Sequence, residues 1–410
     1  MNKIVALLLF FTSVVYSQNI SLLECYQLAE KNYPLAQQIS LLDQKNDFDT
    51  KVLSKNKLPK IDVNAQVTYQ SEVTMMPISL PNVSISPLNK DQYRTTLDVT
   101  QLIYNGGLTD ASIKSKAAQT ASQKQSVLVN LYQLKPKINQ YYFTVLLYQE
   151  KIELLKAKQQ LLLSKIKEIK VAVKNGAVLP ASEQVLEVEN IKIDQQITDF
   201  QTEKLKNISN LSQVLGAKIA DDAKFQYEFS EITSTRPEYE YFNLKNKEIE
   251  LSKQVLDKSR LPKINAFAQL GYGNPALNML KNSFESFYYT GIKLNWNLFD
   301  WNKTKIEKQS LLINSQIIET EKEVFDLNKN AQRKETELEI QKLKSFLQQD
   351  QDIVTLREKI LKSADAQMRN GVITSADYLV EATNLFEAKA NEKLHKVQLY
   401  LTQSNYQIIK

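Results

Sequence analysis

The chain has 410 residues, 43% hydrophobic and 24% charged, proportions that exclude an intrinsically disordered polymer. Only 8 Gly and 10 Pro punctuate it, so turns are scarce and the elements between them are long. The formal charge of +6 arises from 52 basic and 46 acidic residues, with Lys alternating with Glu along helical stretches, which argues for solvated helix faces and against a nucleic-acid surface.

Residues 1–17 read as a secretory signal, with Lys3 as the positive start, 4–11 as the apolar stretch and Val15-Tyr16-Ser17 as the cleavage pattern. Cleavage falls after Ser17 or one residue later. The apolar stretch is much shorter than the ~20 residues that span a bilayer. No later stretch is apolar enough to do so, so an exported chain ends up soluble or crosses a membrane as strands. Cys25 is the only cysteine, which excludes an intrachain disulfide. It follows Leu22-Leu23-Glu24 and reads as a buried helix residue, not as a lipid-attachment site.

An amphipathic helix over 21–56 ends at Leu58-Pro59, because the residue before Pro is pushed out of the α region. Ile61, Val63, Ala65, Val67 and Tyr69 then alternate with Asp62, Asn64, Gln66 and Thr68, a period of two that predicts a strand over about 60–70. A loop rich in Pro, Ser and Asn covers 71–92. Tyr93, Thr95, Leu97 and Val99 predict a second strand over about 93–103. From about 107 to 173 the pattern is helical, and about 66 residues at 1.5 Å each make a rod of about 100 Å. Its apolar positions are Leu128, Leu131, Ile138, Tyr142, Val145, Ile152, Leu155, Leu162, Ile166, Ile169 and Val173. They recur at the three, four and seven spacings of a coiled-coil seam. Pro136 lies inside the rod and is expected to kink or unwind it. Asn175-Gly176 is a helix stop, and a helix over 180–215 returns alongside.

After a connecting segment, 216–235, the same order repeats. Lys57-Leu58-Pro59-Lys60-Ile61 recurs as Arg260-Leu261-Pro262-Lys263-Ile264. Ile103-Tyr104-Asn105-Gly106-Gly107 has its counterpart in Leu298-Phe299-Asp300-Trp301-Asn302, and Lys174-Asn175-Gly176-Ala177-Val178 in Arg369-Asn370-Gly371-Val372-Ile373. The chain therefore divides into one repeat over 18–215 and a second over 236–410. The second repeat carries a helix over 236–259 and strands over about 264–272 and 287–298, with Phe267 breaking the alternation on the polar side. A rod over about 302–368 follows, with a seam of Ile306, Ile313, Ile317, Val324, Leu327, Ala331 and Leu338, and then a returning helix over 374–409. The hairpin tips lie at about 174–180 and 369–375. Seams this narrow need neighbouring helices. Four strands make a poor sandwich, but they close a barrel when chains associate.

Strand pair, long rod, Gly-marked reversal and returning helix, all duplicated, resemble the TolC family of outer-membrane efflux proteins. Ser21-Leu22-Leu23-Glu24-Cys25-Tyr26-Gln27-Leu28-Ala29-Glu30-Lys31-Asn32-Tyr33-Pro34 is similar to that family's opening helix. Asn175-Gly176-Ala177-Val178-Leu179-Pro180 and Asn370-Gly371-Val372-Ile373-Thr374-Ser375-Ala376-Asp377-Tyr378-Leu379 resemble its two hairpin tips. The resemblance implies a mainly α fold with a small β part. It further implies a homotrimer whose twelve strands form one barrel in outer-membrane lipid above an α-helical periplasmic tunnel. It also implies a periplasmic adaptor, met by the tips at Asn175, Gly176, Ala177, Val178, Asn370, Gly371, Val372 and Ile373, and an inner-membrane pump. Asp377 matches a carboxylate position of the family's periplasmic constriction, and Glu183 stands beside Ser182 at the equivalent place in the first repeat. Met368 and Ile373 depart from the family's gate residues. Asp377 near a helix N-terminus reads equally well as a cap.

Enzymatic chemistry, cofactors and metals find no pattern in the chain. His395, the sole histidine, lies between Leu394 and Lys396 on a helix, and no phosphate-binding glycine motif is present. Met75-Met76 lacks His or Cys company and reads as an outer loop. Trp296, Trp301, Tyr288, Tyr289 and Tyr104 suit an aromatic belt at a membrane boundary, with helix packing as the competing reading for Trp301. The other class of function open to such a sequence is a soluble periplasmic coiled-coil adaptor or scaffold, which would carry one helical hairpin where this chain has two.

Overall fold

The computed structural model describes residues 19–75, 87–227 and 236–410; the expected signal segment 1–17, Met76 and residues 228–235 of the connecting segment lie outside them. The first repeat runs β1 (Asn19–Ile20), α1 (Leu22–Asn32), α2 (Gln37–Lys55), β2 (Lys60–Tyr69), β3 (Asp91–Tyr104), α3 (Leu108–Tyr132), α4 (Lys135–Lys174), α5 (Pro180–Leu215) and β4 (Lys224–Phe225). The second runs α6 (Pro237–Ser259), β5 (Lys263–Asn274), β6 (Glu285–Asn295), α7 (Lys303–Arg369) and α8 (Ser375–Ile409).

Three boundaries differ from the sequence expectation, each for a local reason. The opening helix is two helices, because Pro34 pushes Tyr33 to ψ 135 and a short 3₁₀ turn, Pro34–Ala36, joins them. The first rod breaks into α3 and α4 at Gln133-Leu134. Pro136 sits in the first turn of α4 and has no N–H to offer the carbonyl of Tyr132, so the expected unwinding is a full interruption. The second rod has no proline and runs as one helix of 67 residues. The fourth strand stops at Asn295, short of Leu298, because Trp301 (φ 53) and Asn302 (φ 62) turn the chain into α7. Asp300 caps that helix, accepting from the Thr304 backbone N–H at 3.1 Å and its hydroxyl at 2.6 Å.

The chain forms two compact units. In one, made of the segments Ile39–Ser126 and Tyr239–Lys322, the four long strands form an antiparallel sheet in the order β2-β3-β5-β6. The other comprises residues up to Gln38, Val127–Glu238 and Glu323–Lys410, and is largely helical with two cores. In one core Tyr142, Phe143, Leu211, Leu215 and Phe225 are nearly solvent-free. There β1 and β4 pair in parallel, and Gln149 closes the outer side of β4 by exchanging two 3.2 Å hydrogen bonds with the Phe225 backbone. Cys25 is fully buried in this core, and burial together with the Glu24 charge pushes its thiol up to about 12. The second core joins Ile152, Leu162 and Ile169 of α4 to Leu186 and Ile193 of α5, Met368 of α7 and Tyr378 of α8. A fully buried leucine such as Leu162 contributes on the order of 2 kcal/mol. These contacts hold both helical hairpins together close to their tips.

Candidate functional site

Register gathers most apolar strand positions onto one face of the sheet, with Phe267, Phe287 and Tyr289 of the second repeat on the other. Ile61, Val63 and Val67 stand opposite Val99, Leu97 and Tyr93. Leu97 and Val99 stand opposite Leu270 and Ala268, and Leu270, Ala266 and Ile264 opposite Tyr288, Ile292 and Leu294. That face is exposed: Val63 keeps 71% and Ile292 76% of its surface. Soluble proteins rarely present so wide an apolar patch to water. The opposite face carries Lys60, Asp62, Asn64, Arg94, Thr96, Asp98, Gln269 and Lys293. Asp98 accepts from Asn64 at 2.6 Å, from Thr96 at 2.9 Å and from the Gln269 amide. The outer sides of β2 and β6 have no strand partner among the described residues. The sheet is thus two-faced and open at both edges.

The two seams have opposite fates. Along the first rod Leu131, Ile138, Tyr142, Val145, Ile152, Leu162 and Ile169 are buried within the chain. Along α7, Ile306, Ile313, Ile317, Val324, Leu327 and Leu338 are each about half exposed or more, Leu327 at 70%.

The tips share one stop chemistry. Gly176 (φ 70) and Gly371 (φ 71) take the left-handed conformation that costs other residues about 1 kcal/mol. The next N–H, of Ala177 or Val372, reaches back 2.9 Å to the carbonyl of Ala172 or Gln367. Asn175, Ala177, Val178, Asn370 and Val372 are exposed, whereas Ile373 packs partly against the helical core. Asp377 and Glu183 make separate contacts. Glu183 lies 3.4 Å from Lys170. Asp377 forms a capping box with Thr374, accepting from its N–H at 2.9 Å and its hydroxyl at 2.7 Å while its own N–H bonds the hydroxyl at 3.2 Å. Those donors hold the Asp377 carboxyl below the ordinary carboxylate range. A depressed value contributes stability above that range and loses it as pH falls through the folded value. Thr374→Ala removes this cap and frays the first turn of α8, and acid below about pH 4 acts in the same direction. Amide exchange of 375–378 reads both effects; unchanged exchange in the variant would refute the cap.

A charge cluster just above the tips had no signal in the sequence. Lys165 of α4 is 5% exposed and lies 2.6 Å from both Glu168 and Asp365, the latter on α7. Arg369 adds contacts to Asp365 at 3.1 Å and Glu168 at 3.4 Å, and the Tyr378 ring lies 5.3 Å from the Lys165 ammonium. His395 of α8 lies 2.6 Å from the buried Asp350 of α7. Among the described residues no group of three or more His, Cys, Asp or Glu is placed to hold a metal ion.

By sequence the chain matches no protein-family profile and no curated protein. By structure it is similar along nearly its whole length to solved channels. The outer membrane protein VceC of Vibrio cholerae aligns over 95% of both chains at 14% identity and a TM-score of 0.65. CusC aligns over 97% of this chain and 95% of its own at 12% identity and 0.68. The open state of the MtrE outer membrane channel of Neisseria gonorrhoeae aligns over 97% and 92% at 13% identity and 0.66. The fold is that of these solved outer-membrane proteins.

Proposed function

We propose that this chain is one protomer of an outer-membrane exit duct. Three copies pool four strands each into a twelve-stranded barrel. The helices line a periplasmic tunnel that takes cargo from an inner-membrane pump through an adaptor. The observation that carries this reading is the exposed apolar sheet face bounded by two unpaired edges. Water penalises such a face and lipid penalises such edges, so both are satisfied only when β6 of one copy pairs with β2 of the next inside a bilayer. The bare seam of α7 supports the same assembly, because a neighbouring copy would bury it.

In this reading the tips at 175–178 and 370–373 receive the adaptor. Asp377, Glu183 and the Lys165 cluster belong to the narrow periplasmic end, where charge sets which ions pass. A soluble adaptor or scaffold has no use for a sheet apolar on its outer face, and the fold spans channel proteins nearly end to end. The test is to express the chain with its leader, fractionate membranes and weigh the detergent-extracted particle. The expected result is an outer-membrane species of three chains that conducts ions in planar bilayers. A water-soluble monomer would overturn it.

A further inference from the structure

The two repeats carry different chemistry on the polar side of the sheet. In the first, the cross-strand pairs Asn64–Thr96 and Thr68–Gln92 are polar. At the equivalent register the second repeat has Phe267–Gly291 and Gly271–Phe287. Each ring lies over the glycine opposite: a Cβ on Gly291 would stand 2.9 Å from the Phe267 ring, and one on Gly271 would collide with Phe287. Tyr289, on the same face, is 43% exposed and meets Phe267 edge to face at 5.8 Å. The Arg94 guanidinium lies 5.7 Å from the Phe287 ring, and Lys293 continues the face opposite Asn265. Among the acids of this face, Asp62 pairs with Lys60 at 2.9 Å and Glu285 with Lys281 at 3.0 Å, while Asp98 accepts from the neutral groups of Asn64, Thr96 and Gln269.

We infer that the second hairpin forms an aromatic, cation-flanked track on the inner wall of the duct, a subsite for anionic molecules that carry an aromatic ring. The inference rests on the proposed barrel closing with its polar face inward. Three such tracks would alternate with three polar sectors supplied by the first hairpin. Covering a glycine needs only one ring; a second, half-exposed ring beside it and two cations supply what a sulfonated or carboxylated aromatic recognises, a π surface and a counter-charge.

The probe is 1-naphthalenesulfonate, titrated by saturation-transfer NMR against the trimer in lipid nanodiscs, with empty nanodiscs as baseline. The variant is F267N/G291T, which installs the pair the first hairpin already accommodates in the same register. Wild type is expected to bind saturably, with propanesulfonate a poor competitor and the variant about three- to tenfold weaker. Unchanged binding by a trimeric variant would overturn the track, as would a wild type no better than empty nanodiscs. Equal affinity for 1-naphthylmethylammonium would overturn the anion preference. Failure of the underlying channel reading shows separately, as a particle mass below three chains before any probe is added.

Discussion

If the chain is an outer-membrane duct, Leu270→Lys is expected to remove it from the outer membrane, whereas Thr68→Lys leaves it there. Leu270 lies near the middle of β5, between Leu97 and Tyr288 on the exposed apolar face. A lysine near the bilayer midplane costs about 2–4 kcal/mol per copy, and three copies would carry the penalty together. Thr68 lies on the polar face opposite Gln92, where a charge meets polar neighbours. The readout is the amount of the chain recovered in washed outer membranes. More than a tenfold loss is expected for Leu270→Lys and less than twofold for Thr68→Lys. Equal behaviour of the two variants would mean that the two faces do not divide lipid from lumen.

Strands and hairpin tips were legible because their signals are local. Alternation with a period of two placed all four long strands within a few residues, and Asn-Gly marked both reversals. The breaks at Tyr33-Pro34 and at Gln133-Leu134 are equally local, but the apolar pattern runs through both and masks the first entirely. The β1–β4 pair has only two residues in each strand, too few for any periodicity, and it brings Asn19 beside Lys224. The two seams have the same rhythm, yet from Leu131 onward the first is buried or half-buried within the chain, while the other is bare. A heptad pattern states that a partner exists, not which chain provides it. The candidate site was legible only where one element supplies it. Asp377 is three residues from its capping partner, so both of its readings could be weighed in advance. Lys165 and Asp365 are 200 residues apart, and no spacing rule joins them.

Under the proposed duct reading, that cluster is where a single substitution should alter opening most. Burial pulls the Lys165 ammonium toward neutrality, but hydrogen bonds and charge from Asp365 and Glu168 outweigh it and raise its pKa above the ordinary lysine value. A raised lysine contributes fully below its unfolded value near 10.5 and loses that contribution only as pH climbs through the folded one. The tie between α4 and α7 should therefore not weaken through Lys165 anywhere between pH 5 and pH 9. Lys165→Met removes the cation from between two carboxylates. Breaking a fully buried pair costs about 3–5 kcal/mol. Asp365 and Glu168 are 30% and 43% exposed, which reduces the expected loss to about 1–2 kcal/mol. Under the duct reading, that loosens the periplasmic end and raises the open fraction in planar bilayers roughly five- to thirtyfold, while Lys165→Arg stays near wild type. Asp365→Asn should cost less, because Lys165 keeps Glu168. The double variant Lys165→Met with Asp365→Asn should fall short of the sum, since residues in one network couple. Strict additivity, or an open fraction that does not move, would show that the cluster is surface decoration and that the constriction is held elsewhere.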